Sequence, residues 1–186
     1  MAQRARSAAR RRTLLVILAV ALAGVAWLVK IAIEAALGDG SIIDLGVLQL
    51  RLFYNTGVSF SLGSSLPTWV VILVTGAITL AIAGYAWVAA ADVSLLGLIG
   101  LAAVVAGAAT NLVNRAVEGA VADYFHTGWF ATFNLPDTYI TLGVVCIAIS
   151  VIFPGSARPE PTAAAVTQDA TAPDGDDAEH RSRGEG

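Results

Sequence analysis

Four long apolar runs separate shorter polar segments along this chain and give the first indication of its fold. They cover residues 13–36, 67–91, 94–113 and 137–153. Each run reaches the roughly 17–25 residues with which an α-helix crosses a lipid bilayer. The pattern therefore predicts four transmembrane helices, with the second and third joined by a tight reversal around Asp92.

The connection between the first two runs has a different period. Apolar positions there alternate with others in the order Leu48, Gln49, Leu50, Arg51, Leu52, Phe53, Tyr54, Asn55. A period of two predicts a β-strand. Residues 55–57 (NTG) are a predicted turn, after which residues 58–62 would return as a partner strand. We expect a small sheet lying against the membrane surface.

Composition and charge agree with a membrane protein and indicate its orientation. The chain has 186 residues, of which 56% are hydrophobic and 13% charged. Its net charge of −3 is segregated, with five arginines in residues 1–12 and half of the 14 acidic residues after residue 154. A basic segment next to an apolar run is typical of a cytoplasmic flank and is not read here as a nucleic-acid site. With four spans, both termini are then cytoplasmic, and the connections 37–66 and 114–136 face outward.

The predicted fold class is thus an all-α membrane protein of four transmembrane helices, with a small extracytoplasmic β-sheet between helices 1 and 2. We expect three parts: a disordered basic cytoplasmic N-terminus (residues 1–12), a four-helix membrane domain (13–153) and a disordered acidic cytoplasmic tail (154–186). The single cysteine, Cys146, excludes a disulfide within the chain and any cysteine-based metal cluster.

Polar side chains cluster between residues 104 and 141. They include Asn111, Asn114, Arg115, Asp123, His126, Asn134 and Asp137. Polar groups near hydrocarbon are costly, so such a cluster indicates a functional site. Two carboxyl groups that share a site divide one proton between them and can act as acid and base on one water molecule, as amide hydrolysis requires. Two structural alternatives stay open, because Asp137 would also suit the start of the fourth helix and Asp123 could be an exposed loop residue.

Four short motifs resemble those of the bacterial lipoprotein signal peptidases (signal peptidase II). Residues 55–61 (NTGVSFS) resemble N-x-G-x-[AS]-F-S, and residues 110–115 (TNLVNR) resemble G-N-x-x-D-R. Residues 121–124 (VADY) are similar to V-x-D-[FY], and residues 133–138 (FNLPDT) to F-N-x-A-D-[ST]. The resemblance covers about residues 13–153, with the motifs in the expected order and on the expected side.

The resemblance implies an aspartic endopeptidase of the bacterial cytoplasmic (inner) membrane. Such an enzyme cuts the signal peptide from diacylglyceryl-modified prolipoproteins just before the lipid-bearing cysteine. It implies Asp123 and Asp137 as the catalytic dyad. The supporting or substrate-binding residues would be Asn55, Gly57, Asn111, Asn114, Arg115, Asn134 and Lys30. We expect no metal and no cofactor, contact with membrane lipids, no nucleic acid, and a monomer.

The chain also departs from the family pattern at four positions. Ala26 and Asn114 stand where the family usually has aspartate, Thr110 where it has glycine, and Pro136 where it has alanine. These changes leave open a weakened or non-catalytic paralogue that binds lipoprotein precursors. A small transporter could also use paired aspartates, but it would need ionisable residues at mid-span, and the runs have almost none.

Lys30 has a second interpretation that does not depend on the resemblance. It lies one helical turn before Glu34, near the end of the first run. A lysine and a glutamate at this spacing can form an ion pair that snorkels to the membrane interface. This role is preferred to a catalytic one.

Overall fold

The computed structural model describes residues 1–56 and 67–153 of the chain. Its elements are α1 (Ala2–Leu37), β1 (Ile42–Asp44), β2 (Gln49–Asn55), α2 (Thr68–Ala89), α3 (Leu95–Glu118), β3 (Val121–His126) and α4 (Leu135–Ile152). All four helices are long and apolar enough to cross a membrane, which confirms the predicted fold class. The predicted return strand 58–62, Gly57 and the tail from residue 154 lie outside the described residues.

α3 is the central helix of the bundle. Of its most apolar 18-residue window, 61% is buried, against 11–22% for the other three helices. The outer helices instead expose large apolar side chains such as Leu28, Leu80 and Val151. An apolar exterior is stable in lipid, where no hydrophobic effect drives these side chains inward. The arrangement is therefore that of a helix bundle in a bilayer.

One stripe of α3 brings it unusually close to α4. Gly97, Gly100, Val104 and Gly107 are all buried and recur at intervals of three and four residues. A Cβ added at Gly100 would lie 2.6 Å from the carbonyl oxygen of Gly143 on α4, and a Cβ at Gly107 would overlap that of Pro136. Small residues at such positions let two helix backbones approach closely within a membrane. The same stripe continues through Asn111 and Asn114, and the side chain of Asn111 contacts Asp137 on α4.

The sheet joins both connections that the sequence placed at one end of the bundle. Its strand order is β1-β2-β3, and both pairs of strands are antiparallel. β2 confirms the strand that the alternating pattern predicts, whereas β3 was missed. β3 was not predicted because its first four residues are all buried, so the segment shows no alternation. It places Asp123 on a strand and corrects the alternative of an exposed loop residue.

The N-terminal segment is helical from Ala2, which corrects the expected disorder of residues 1–12. Alanine and arginine favour helix, and two of the arginines have partners near the end of α2. Arg11 donates from Nε to the carbonyl oxygen of Ala90 at 2.8 Å, and Arg12 donates from Nε to that of Trp87 at 3.1 Å. Carbonyl groups at a helix C-terminus lack partners within the helix, so these guanidinium groups satisfy them.

α3 continues five residues beyond its predicted end at Val113. It ends at Glu118, followed by Gly119 in the left-handed conformation with φ of 74°. Glycine adopts this conformation without steric cost and commonly ends a helix. Asn114 and Arg115 therefore lie on the last turns of a helix and not in the connection where the sequence pattern placed them.

The close contact between α3 and α4 can be tested with two glycine substitutions. We expect Gly107→Ala to lower the free energy of unfolding by about 1–3 kcal/mol, the usual cost of overpacking. Gly84→Ala is the matched control, because Gly84 lies on exposed α2 surface with nothing within 4 Å of an added Cβ. There the better helix propensity of alanine should leave stability unchanged or slightly higher. Denaturant titration in detergent micelles gives both values, and equal effects would contradict the packing described here.

Candidate active site

Asn134 is the centre of a hydrogen-bond network at the sheet end of the bundle. It is the residue before α4, and its Oδ1 accepts from the backbone N–H of Asp137 at 2.8 Å. This bond fixes which way the amide points, so its Nδ2 must donate on the other side. Nδ2 donates to Asp123 Oδ1 at 2.7 Å and to Asn111 Oδ1 at 3.3 Å. With 1% of its surface exposed, Asn134 uses all its hydrogen-bonding atoms within the protein.

The side-chain amide of Asn111 also has a fixed orientation, and it donates to Asp137. Because its Oδ1 accepts from Asn134, its Nδ2 faces Asp137 and donates to Oδ1 at 2.8 Å. The other carboxylate oxygen of Asp137 accepts from the backbone N–H of Asn134 at 3.2 Å and completes a capping box. The suggestion that Asp137 serves the start of the fourth helix is thus correct. The same carboxyl group also belongs to the polar network.

Asp123, which accepts one of these hydrogen bonds, is buried. Asn55, at the end of β2, donates from Nδ2 to Asp123 Oδ2 at 3.1 Å. Burial disfavours the charged carboxylate and raises the pKa of Asp123 to about 6, and the charge of Asp137 acts in the same direction. The hydrogen bonds from Asn55 and Asn134 and the positive charge of Arg115 oppose this shift in pKa. Asp123 is therefore a carboxyl group that holds its proton well above the usual range for aspartate.

The structure brings together six of the nine residues singled out in the sequence. Five of them form one hydrogen-bond network around Asn134, in which Asn55 is joined through Asp123: Asp123, Asp137, Asn111, Asn55 and Asn134 itself. Arg115 joins them through its charge, which acts on Asp123. Asn114 is buried on the same stripe of α3, and its Oδ1 has no hydrogen-bond partner among the described residues. Gly57 lies outside the described residues.

Lys30, the ninth residue, belongs to a different cluster. Its predicted ion pair with Glu34 is present at 3.3 Å, and its side chain is buried within the protein. The reason is a second partner, Glu118 at the end of α3, which also bonds the Lys30 ammonium group. The sequence pattern could not reveal this pair, because the two residues are 88 positions apart.

A cavity of about 550 Å³ opens beside Asp137. Most of its lining is apolar or aromatic and comes from the loop before α4 and from the first turns of α4. The lining residues are Thr127, Trp129, Phe130, Ala131, Thr132, Phe133, Asp137, Thr138, Ile140, Thr141 and Leu142. Asp137 thus lines the space that a bound molecule would occupy, whereas Asp123 is not among the lining residues. Within residues 1–56 and 67–153, no group of three or more His, Cys, Asp or Glu side chains is placed to hold a metal ion.

Tyr124 is a further residue of this region that the sequence did not single out for a role of its own. It follows Asp123 on β3, is 1% exposed, and accepts a hydrogen bond at its Oη from the backbone N–H of Leu135 at 3.1 Å. This bond ties β3 to the first residue of α4. Tyr124 therefore helps to fix the strand of one aspartate relative to the helix of the other.

A comparison with protein families gives a match over the four-helix membrane domain. A family model described as Signal peptidase (SPase) II matches residues 10–153. The chain belongs to the signal peptidase II family. The resemblance inferred from the four motifs is confirmed, and family membership makes the chain a protease and a multi-pass membrane protein.

Curated relatives and solved structures agree with this assignment. The chain is 36% identical over 121 residues to the lipoprotein signal peptidase of Allorhizobium ampelinum, covering 62% of this chain and 73% of the relative. It is 36% identical over 126 residues to that of Brucella ovis, covering 65% and 78%. Two structures of a bacterial membrane enzyme, determined by the in meso method at 2.3 and 1.9 Å resolution, have a TM-score of 0.64 at 22% identity. They match 75% of this chain and 88% and 93% of their own, which supports the fold.

The raised pKa of Asp123 predicts a pH dependence of stability. Between the ordinary aspartate pKa of 3.8 and about 6, the folded protein binds a proton at Asp123 that the unfolded chain has lost. The contribution of Asp123 to the free energy of unfolding should therefore fall as pH rises through this window, by about 2–3 kcal/mol. Asp123→Asn cannot titrate and should lack this decrease. Unfolding titrations of both proteins from pH 4 to 7 measure the difference, and identical pH slopes would contradict the raised pKa.

Proposed function

We propose that this member of the signal peptidase II family is an aspartic endopeptidase. It removes signal peptides from diacylglyceryl-modified prolipoproteins and cuts before the lipidated cysteine. The observation that carries the proposal is that both carboxyl groups accept hydrogen bonds from Asn134, Asp123 from its side-chain amide and Asp137 from its backbone N–H, and that Asp137 lines the cavity. Peptide hydrolysis needs an acid and a base at one place, and two carboxyl groups that share a proton provide both.

In the proposed reaction the dyad begins with one proton. The ionised carboxylate takes a proton from a water molecule while the water oxygen attacks the scissile carbonyl carbon. The protonated carboxyl group gives its proton to the carbonyl oxygen, which forms a neutral tetrahedral intermediate. When the intermediate collapses, one of its hydroxyl protons returns to the carboxylate, and the other carboxyl group protonates the leaving nitrogen. The C–N bond breaks, and the dyad again carries one proton.

The neighbouring amides and Arg115 would position the dyad in this scheme. Asn111 and Asn134 each donate to a carboxylate with a hydrogen fixed in direction, so the carboxyl planes need not reorganise during the reaction. Arg115 adds a positive charge near both carboxyl groups without occupying the cavity lining. The apolar lining beside Asp137 suits a substrate whose signal peptide and lipid are both apolar.

The proposed orientation places the site on the outer face of the bacterial cytoplasmic membrane, with both termini in the cytoplasm. Asp123, Asp137 and the sheet lie at one end of the bundle. The arginines of α1 lie at the other end, where Arg11 contacts the α2–α3 turn. Arginine and lysine concentrate on the cytoplasmic side of membrane proteins, which supports this assignment of the two ends.

A weakened or non-catalytic paralogue is the second candidate. The observation in its favour is Asn114, which directly precedes Arg115 in the chain. Its buried Oδ1 has no hydrogen-bond partner among the described residues. An amide in place of a carboxylate removes a charge that would pair with that arginine. Such a protein would keep the cavity and the dyad but turn over slowly.

The dyad is tested by replacing each aspartate with asparagine. Asp123→Asn and Asp137→Asn keep size and hydrogen bonding but remove the acid–base function. Each change should lower kcat at least about 10²–10⁴-fold, the usual contribution of general acid–base catalysis. The double variant should lose little more than either single variant, because a dyad with one member missing no longer works. The measurement is cleavage of a purified diacylglyceryl-modified prolipoprotein.

Substrate binding and membrane insertion provide the controls for this experiment. Both should survive, since a neutral amide costs less than a carboxylate at the membrane edge. If either well-inserted single variant cleaves within a few-fold of the parent, the aspartic mechanism is wrong. If the parent binds the precursor but does not cleave it, the paralogue is the better description.

A further inference from the structure

We propose that Glu118 is a positioning residue of this site. Its ion pair with Lys30 holds the end of α3, and with it Arg115 and the turn into β3, in the register that the aspartate pair requires. The proposal rests on the proposed function of Asp123 and Asp137. It gives a role to a residue that none of the four motifs includes.

The first observation is the burial of a lysine among apolar helices. Only 5% of the Lys30 surface is exposed. Its ammonium group is bonded by Glu118, lies 3.3 Å from Glu34, and sits 5.0 Å from the centre of the Trp27 ring. A buried ammonium group is stable only when it is paired, and loss of one partner is strongly destabilising. Glu118 is the partner that comes from a different helix, so this pair ties α1 to α3.

The second observation is what Glu118 is attached to. It is the last residue of α3, directly before Gly119 in the left-handed conformation. The backbone N–H of Gly119 donates to the carbonyl oxygen of Arg115 at 3.0 Å, which closes the final helical turn. The next element after this end of α3 is β3, which carries Asp123. The ion pair therefore holds the one segment from which both Arg115 and Asp123 extend.

The third observation explains why the C-terminal turn of α3 needs to be held in place. The last turn of a helix frays readily, because its carbonyl groups lack partners within the helix. Arg115 lies in that turn, and its positive charge lowers the pKa of Asp123 against the effect of burial. If the turn loosened, Arg115 would move relative to Asp123, and the proton affinity of the dyad would change. Lys30 itself pairs with Glu34 and Glu118 and not with either aspartate, so it acts through position alone.

The test compares two glutamates that share Lys30. Glu118→Gln removes the charge that holds α3, whereas Glu34→Gln removes the partner within α1 and keeps an oxygen that can accept from Tyr54. For Glu118→Gln we expect kcat to fall about 10-fold with KM within about 3-fold, because alignment is lost and not binding. Its pH–rate profile should shift to higher pH. Glu34→Gln should stay within about 3-fold of the parent.

A double-mutant cycle then separates a specific pair from general destabilisation. Lys30→Gln combined with Glu118→Gln should cost about as much as the worse single variant, since both remove the same interaction. Kinetics are measured well below the unfolding temperature of each variant. Parental kcat and an unshifted pH profile for Glu118→Gln overturn the proposal, and so does an additive cycle. If Glu118→Gln is not obtained folded, Lys30→Gln breaks the same pair from α1 and is judged by the same results.

A titration of the Asp123 carboxyl group by ¹³C NMR keeps this proposal separate from the proposed function. The cleavage assay with Asp123→Asn decides whether Asp123 is catalytic. If that variant still cleaves, the aspartic mechanism fails, but the titration can still be read in Glu118→Gln. An upward shift in the pKa of Asp123 supports the positioning role. A pKa equal to that of the parent contradicts it.

Discussion

The arrangement of the site depends on the close approach of α3 and α4. In a bilayer the surrounding lipid is as apolar as the helices, so association relies on shape and on polar contacts between helices. Gly100 and Gly107 supply the shape by letting the backbone of α4 approach where a methyl group would overlap its carbonyl oxygens. Asn111, one turn further along the same stripe, then lies within 2.8 Å of Asp137. A wider helix spacing would break that hydrogen bond before it affected any residue of the sheet.

Neutral asparagine side chains make most of the hydrogen bonds to the two aspartates. A second charged layer would need its own buried counter-ions, whereas an amide donates and accepts without any net charge. The orientation of Asn134 is fixed by the backbone of α4, and this orientation determines that of Asn111. The donors therefore point at the carboxylates before any substrate arrives, which is the condition for electrostatic preorganisation. The raised pKa of Asp123 results from burial that these hydrogen bonds offset only in part.

The sequence predicted the helices and singled out the five residues of the hydrogen-bond network, and the failures have physical causes. Apolar runs of sufficient length specified the four helices, and alternation specified β2. β3 was missed because Val121 to Tyr124 are buried on both faces, which removes the alternating signal. The helical N-terminus was missed because the arginines were read only as charge, although Arg11 satisfies carbonyl groups of the α2–α3 turn. The partner of Lys30 required knowledge of which helices are neighbours, and periodicity within one helix carries no such information.

Asp137 illustrates why a structural role does not argue against a chemical one. Its capping bond uses one lone pair of Oδ2, and the bond from Asn111 uses one lone pair of Oδ1. A carboxylate offers about four such acceptor sites, so both oxygens retain room for a proton or a water molecule. The capping box meanwhile fixes the carboxyl plane relative to α4, and a fixed plane beside a cavity is what a general acid or base requires. Asp137, in the first turn of the fourth helix, is therefore well suited to the chemistry proposed for it, because the capping box holds its carboxyl group in place.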